Sequence, residues 1–90
     1  MKTQKEKTLI NFKKAQSLIA KLITMSEDNR YCIDIMQQNL AVIGLLRSAH
    51  QMLMEGHLDS CFRSALDSSN GRRKQEMTDE ILRVSKLFNK

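Results

Sequence analysis

Residues 32–61, CIDIMQQNLAVIGLLRSAHQMLMEGHLDSC, decide the fold. Across these thirty positions there is no proline, and apolar residues recur at helical spacing: Cys32, Ile33, Met36, Leu40, Ile43 and Leu46, with Ile35, Val42, Ala49 and Leu53 beside them. A pattern of three- and four-residue steps is that of an amphipathic helix. An apolar band wider than one face predicts a helix that packs both on its own chain and on another.

Upstream, Leu9, Phe12, Ile19, Leu22 and Ile23 mark a first helix over about residues 5–25. Ser26 reads as the N-cap of the next helix, with Glu27 and Asp28 in its first turn, where acids favour the dipole. Downstream, Asp67-Ser68-Ser69-Asn70-Gly71 is a breaker cluster. After it, Met77, Ile81, Val84 and Phe88 predict a short third helix over about 74–88. The expectation is an all-α fold: a single domain over residues 1–90, with a long central helix in a three-helix protomer.

The chain has 90 residues, three glycines, no proline, no tryptophan and three phenylalanines. A domain of this size buries a modest share of its surface. Long helices without a large private core therefore predict oligomerisation. No apolar h-region follows the N-terminus and no apolar run is long enough to cross a bilayer, so the expectation is a soluble, cytoplasmic protein with no membrane role. Two cysteines in that setting are thiols, ligands or redox sensors rather than a structural disulfide.

The net charge is +5 and sits at the two ends of the chain. Residues 1–30 carry seven Lys/Arg against three acids, residues 61–90 seven against four, and the middle third only Arg47 against Asp34, Glu55 and Asp59. Such a distribution suits either a polyanionic partner such as DNA or a merely solvated basic surface. No nucleophile–base–orienter set and no phosphate-cradling glycine loop is present, so an enzyme is not expected.

His57 and Cys61 are four residues apart and share a helical face. If residues 29–66 form one helix, Cys32 stands roughly 38 Å from His57 at the α-helical rise per residue. One ion could then reach all three only if the chain folded back near Gly44 or if two copies packed antiparallel. The surroundings of Gly44 hold no turn-forming residue, and a lone glycine does not force a hairpin. The antiparallel pair is therefore preferred, and a two-fold axis would generate two such sites. Two thiolates and an imidazole form a soft set that suits Cu(I) or Zn(II). Three ligands fit Cu(I) better than a four-coordinate structural zinc site. His50 and Met54 share the stripe and read as packing or surface residues.

Tyr31-Cys32, then His57-Leu58-Asp59-Ser60-Cys61, then Asp79-Glu80-Ile81-Leu82, resembles the copper-sensitive operon repressor (CsoR) family over essentially the whole chain. That family also has nickel/cobalt-, formaldehyde- and persulfide-sensing branches. The resemblance implies an antiparallel dimer of long second helices, paired into a homotetramer. It implies Cu(I) held by Cys32 of one protomer and by His57 and Cys61 of its neighbour, with Tyr31 and Glu80 as an outer shell. It also implies double-stranded operator DNA as partner, bound when metal-free and released on Cu(I) binding. The persulfide branch lacks the histidine, so His57 favours copper. The nickel/cobalt branch has a nitrogen ligand near the N-terminus, and no His precedes His50. The first helix departs from the family in having Asn11 and Ser17-Leu18 where an arginine and a Gly-Gln or Gly-His pair are usual. Lys13, Lys14, Gln16 and Lys21, with Arg47 on the second helix, are the DNA-contact candidates. Two alternatives stay open: a thiol- or persulfide-responsive repressor using Cys32 and Cys61, and a metal-binding relative that no longer binds DNA.

Overall fold

The computed structural model describes residues 3–67 and 70–89. The described residues are all-α and hold no strand. The elements are α1 (Gln4–Glu27), α2 (Cys32–Gly56), a π-helical turn (His57–Phe62), α3 (Arg63–Leu66) and α4 (Gly71–Phe88). They fall into two compact units, Met1–Glu55 and Gly56–Lys90.

In the first unit, α1 begins at Thr3, whose hydroxyl oxygen accepts from the Glu6 N–H at 3.1 Å and so satisfies one of the orphan donors of the first turn. The helix ends two residues later than the sequence suggests. Ser26 and Glu27 close α1 instead of opening α2, and Asp28 is the C-cap of α1. The reason is Asn29, which takes a left-handed backbone with φ 54°. The Arg30 N–H then reaches the Met25 carbonyl at 3.0 Å and the Asn29 N–H reaches the Ser26 carbonyl at 3.3 Å. This is a Schellman closure, with asparagine in the place glycine usually takes. The Tyr31 carbonyl then accepts from the Asp34 and Ile35 N–H groups, and α2 starts at Cys32.

α1 and α2 run antiparallel. The Gln4 side chain donates to Glu55 at 3.0 Å, and the Asn11 side chain donates to the Leu45 carbonyl at 3.5 Å. The covered line of α1 is Gln4, Thr8, Asn11, Ala15, Leu18, Leu22 and Met25, in alternating steps of four and three. That of α2 is Ile35, Gln38, Val42, Leu45, Ala49 and Met52, in steps of three and four, with Ser48, His50 and Met54 beside it. An average step of 3.5 residues is the seam of a coiled-coil hairpin. Ala49 is fully buried, Ala15 nearly so, Met25 and Val42 are buried with them, and buried Thr8 satisfies its hydroxyl on the Gln4 carbonyl at 2.7 Å. Many large apolar residues nonetheless face outward. Leu9, Phe12, Ile19 and Ile23 of α1 and Ile33, Met36, Leu40 and Ile43 of α2 are all exposed. α2 runs through Gly44 without a turn, and a Cβ built there would meet nothing within 4 Å.

In the second unit, α3 is a single turn packed on α4. The expected breaker cluster contains the start of a helix. Asn70 is the N-cap of α4, its side-chain oxygen accepting from the Arg72 and Arg73 N–H groups at 3.1 and 3.3 Å. Gly71 is the first helical residue and not a stop, so α4 begins three residues before the expected 74. Ser68 and Ser69 of the cluster lie outside the described residues. Met77 is buried, and Lys74, Thr78, Ile81, Ser85 and Phe88 are half-covered on the same face.

Candidate metal centre and basic face

Cys32 is the first residue of α2, immediately after the Schellman closure, and its thiol is free and exposed. Tyr31 beside it is 67% exposed. His57 opens the π-helical turn and is half-buried. Cys61 lies in that same turn, and its side chain is outside the described residues. A π turn carries backbone bonds from i to i+5, is rare, and recurs as a single wide turn at functional sites. Within it the Ser60 hydroxyl donates to the Gly56 carbonyl at 2.7 Å, the same back-bond that Thr8, Thr24 and Thr78 make to the carbonyl four residues earlier. The turn closes on an ordinary α-helical residue, Arg63, whose N–H bonds to the Ser60 carbonyl. An exposed Arg63–Asp59 pair at 3.9 Å spans it.

Glu80 lies exposed on α4. Among the described residues, His57 and Glu80 share no hydrogen bond or ion pair. Nor do any three His, Cys, Asp or Glu side chains of one chain converge on a point, among the described residues. The chemistry of the donors nonetheless fits a soft cation. One turn supplies an imidazole nitrogen and a cysteine four residues apart, and a second, free thiol is accessible at the start of α2. Thiolate and imidazole donors select Cu(I) or Zn(II) over the hard divalent ions.

Lys13, Lys14, Gln16 and Lys21 are all exposed on α1, as is Arg47 on α2. Lys7, not among those candidates, is also exposed on α1. Lys7, Lys14 and Lys21 are seven residues apart and so fall on one line of the helix, beside the buried Thr8, Ala15 and half-buried Leu22. The seven-residue step was the signal available. Asn11 is half-buried and turned to Leu45. No helix among the described residues is long and apolar enough to cross a membrane.

A family model described as metal-sensitive transcriptional repressor matches residues 4–87. The copper-sensing transcriptional repressor CsoR of Mycobacterium ulcerans is 32% identical over 86 residues, covering 94% of this chain and 71% of the relative. The protein of the same name from Bacillus subtilis is 32% identical over 91 aligned positions, covering 99% and 87%. The copper-sensing transcriptional repressor RicR of Mycobacterium tuberculosis is 30% identical over 84, covering 93% and 88%. No solved structure matches the chain.

Proposed function

The chain belongs to the family of metal-sensitive transcriptional repressors, and from that premise we propose that it represses transcription by binding operator DNA and lets go when Cu(I) binds. The observation that carries the choice of metal is the donor set: His57 and Cys61 in one helical turn, with an accessible Cys32 thiol elsewhere on the chain. Copper-sensing relatives support the same choice. Three soft ligands without a fourth match three-coordinate Cu(I).

Cys32 of one protomer joins His57 and Cys61 of another. Assembly of copies, as a dimer and then a tetramer, is supported by the outward-facing Leu9, Phe12, Ile19, Ile23, Met36, Leu40 and Ile43. An exposed contiguous apolar surface of that kind marks an interaction site. Tyr31 flanks the thiol, and Glu80 serves to orient the His57 ring through its second nitrogen, the role that outer carboxylates play at ligating histidines. Lys7, Lys13, Lys14 and Lys21 with Gln16 and Arg47 meet the DNA backbone. Phosphate contacts fix register and dominate affinity.

Metal and DNA are coupled through two arrangements of the same assembly. A coupling of about 1–3 kcal/mol suffices, and it is reciprocal: operator DNA weakens Cu(I) binding by the factor by which Cu(I) weakens DNA binding.

An anaerobic Cu(I) titration against a competing chelator, run with and without operator DNA, tests this. Cys32→Ala and His57→Ala should each lose high-affinity Cu(I) binding and Cu(I)-driven DNA release. A thiol-responsive repressor instead keeps its response to a sulfur donor in His57→Ala and loses it in Cys32→Ala. Equal Cu(I) affinity with and without DNA would rule out the proposed cycle.

A further inference from the structure

We propose that Met36 of one protomer and Met54 of another form a thioether site for Cu(I) beside the thiolate–imidazole site, and that Cu(I) enters the latter through it. This rests on the intersubunit reading above and concerns how that same site is filled.

Met36 and Met54 belong to one unbroken helix, α2. They are 18 residues apart, which is about five whole turns, so they stand on one line of the helix roughly 27 Å from each other. One chain cannot bring both to one ion. Cys32 lies four residues before Met36 on the same side, about 40° around the helix and about 6 Å along it. His57 follows Met54 by three residues, and Gly56 between them has α-helical torsions, φ −63°, ψ −39°. Each methionine is therefore one helical step from a candidate ligand, and both steps lead toward the middle of α2.

In an antiparallel pair those two directions coincide. A pairing that sets residue 32 of one copy level with residues 57–61 of the other sets residue 36 level with residues 53–57. Met54 falls in that window, and a two-fold axis repeats the arrangement at the other end. Neither sulfur is committed to the core of the hairpin: Met36 is 58% exposed, and Met54 is half-covered beside the seam. A thioether is a soft, neutral donor that selects Cu(I). It binds without losing a proton, whereas a cysteine must become a thiolate first. A thioether pair thus captures Cu(I) weakly and yields it to thiolates one step away. The transfer is a ligand exchange: copper remains Cu(I), the thioether leaves unchanged, and each thiol that replaces it releases one proton.

The test uses the full-length chain, labelled with carbon-13 at the methionine methyl groups, and the variants Met36→Leu and Met54→Leu. Leucine keeps the apolar bulk and removes the sulfur. Cu(I) is supplied anaerobically as a chelator complex. Wild type should bind a second, weaker equivalent of Cu(I) per chain, and the Met36 and Met54 methyl signals should shift together with it, while those of buried Met25 and Met77 stay in place. Each leucine variant should lose the second equivalent, leave the remaining methionine unshifted, and fill the tight site several-fold more slowly at unchanged tight affinity. Met36 and Met54 signals that never respond to Cu(I) overturn the proposal, as do leucine variants that fill as wild type. Cys32→Ala separates this from the parent reading. If Cys32→Ala loses tight Cu(I) binding while the wild-type methionines stay silent, the thioether proposal alone falls. If Cys32→Ala binds Cu(I) as wild type, the intersubunit site falls, and the pairing that joins the methionines falls with it.

Discussion

The Asn11 side-chain amide donates to the Leu45 backbone carbonyl at 3.5 Å, tying the middle of α1 to the middle of α2. Asn11 is half-buried against the hairpin. The bond is long, so its contribution sits at the low end for a neutral hydrogen bond. Asn11→Ala should cost about 0.5–1 kcal/mol of stability and leave DNA affinity nearly unchanged at equal folded concentration. Chemical denaturation with a parallel gel shift checks both. A large loss of DNA binding in a stable variant would place Asn11 at the DNA after all.

Asn29 holds the left-handed position that ends α1. Asn29→Gly should be neutral or slightly stabilising, and Asn29→Ala should cost about 1 kcal/mol, since a Cβ is penalised there. In a chain of this size that lowers Tm by about 4–8 °C. Thermal unfolding must be compared at one protein concentration, because the proposed association of copies would make Tm concentration-dependent.

Gly44 offers a test of the antiparallel pairing. If position 32 of one α2 meets positions 57 and 61 of the other, the two-fold axis passes close to Gly44, which lies almost midway between 32 and 57. Within one chain an alanine there meets nothing and should strengthen the helix by about 1 kcal/mol. Where two helices cross closely, the added methyl separates them. Gly44→Ala is therefore expected to weaken assembly in sedimentation equilibrium, and Cu(I) affinity with it. A more stable variant with unchanged assembly would show that the helices cross elsewhere.

Lys7, Lys14 and Lys21 form one line on α1. If each meets a phosphate, Lys14→Gln should weaken binding to all DNA sequences alike and reduce the slope of log affinity against log salt by about 1. Fluorescence anisotropy at several salt concentrations reads the slope. A variant that weakens binding to one sequence only would be reading bases.

The sequence made the all-helical fold plain, because so few residues break a helix and Cys32 to Leu53 keep one apolar period. It also argued correctly that Gly44 makes no hairpin, since glycine alone lacks the turn chemistry around it. The boundary near residue 26 was misread because Ser26-Glu27-Asp28 has the composition of a helix start, while the feature that governs is the backbone conformation of Asn29, which composition barely signals. Gly71 was misread for a related reason: Asn70 supplies the cap, and glycine is tolerated in the first turn. The π turn has no sequence signature, since a serine that bonds back to the carbonyl four residues earlier occurs in plain α-helices too. That His57 and Cys61 fall in one helical turn was legible from their spacing. The expectation for Glu80 rests on family resemblance alone, and among the described residues no hydrogen bond joins it to His57.

The α1–α2 hairpin buries Thr8, Ala15, Met25, Val42 and Ala49 and leaves Leu9, Phe12, Ile19, Ile23, Met36, Leu40 and Ile43 exposed on its outside. If copies pair through these flanks, as proposed, folding is tied to how many copies are present: newly made or highly diluted chains present oily flanks to chaperones and proteases, whereas abundant chains shield one another. The cell's stock of this regulator should therefore respond more than proportionally to its rate of synthesis: halving expression should remove more than half of the working molecules.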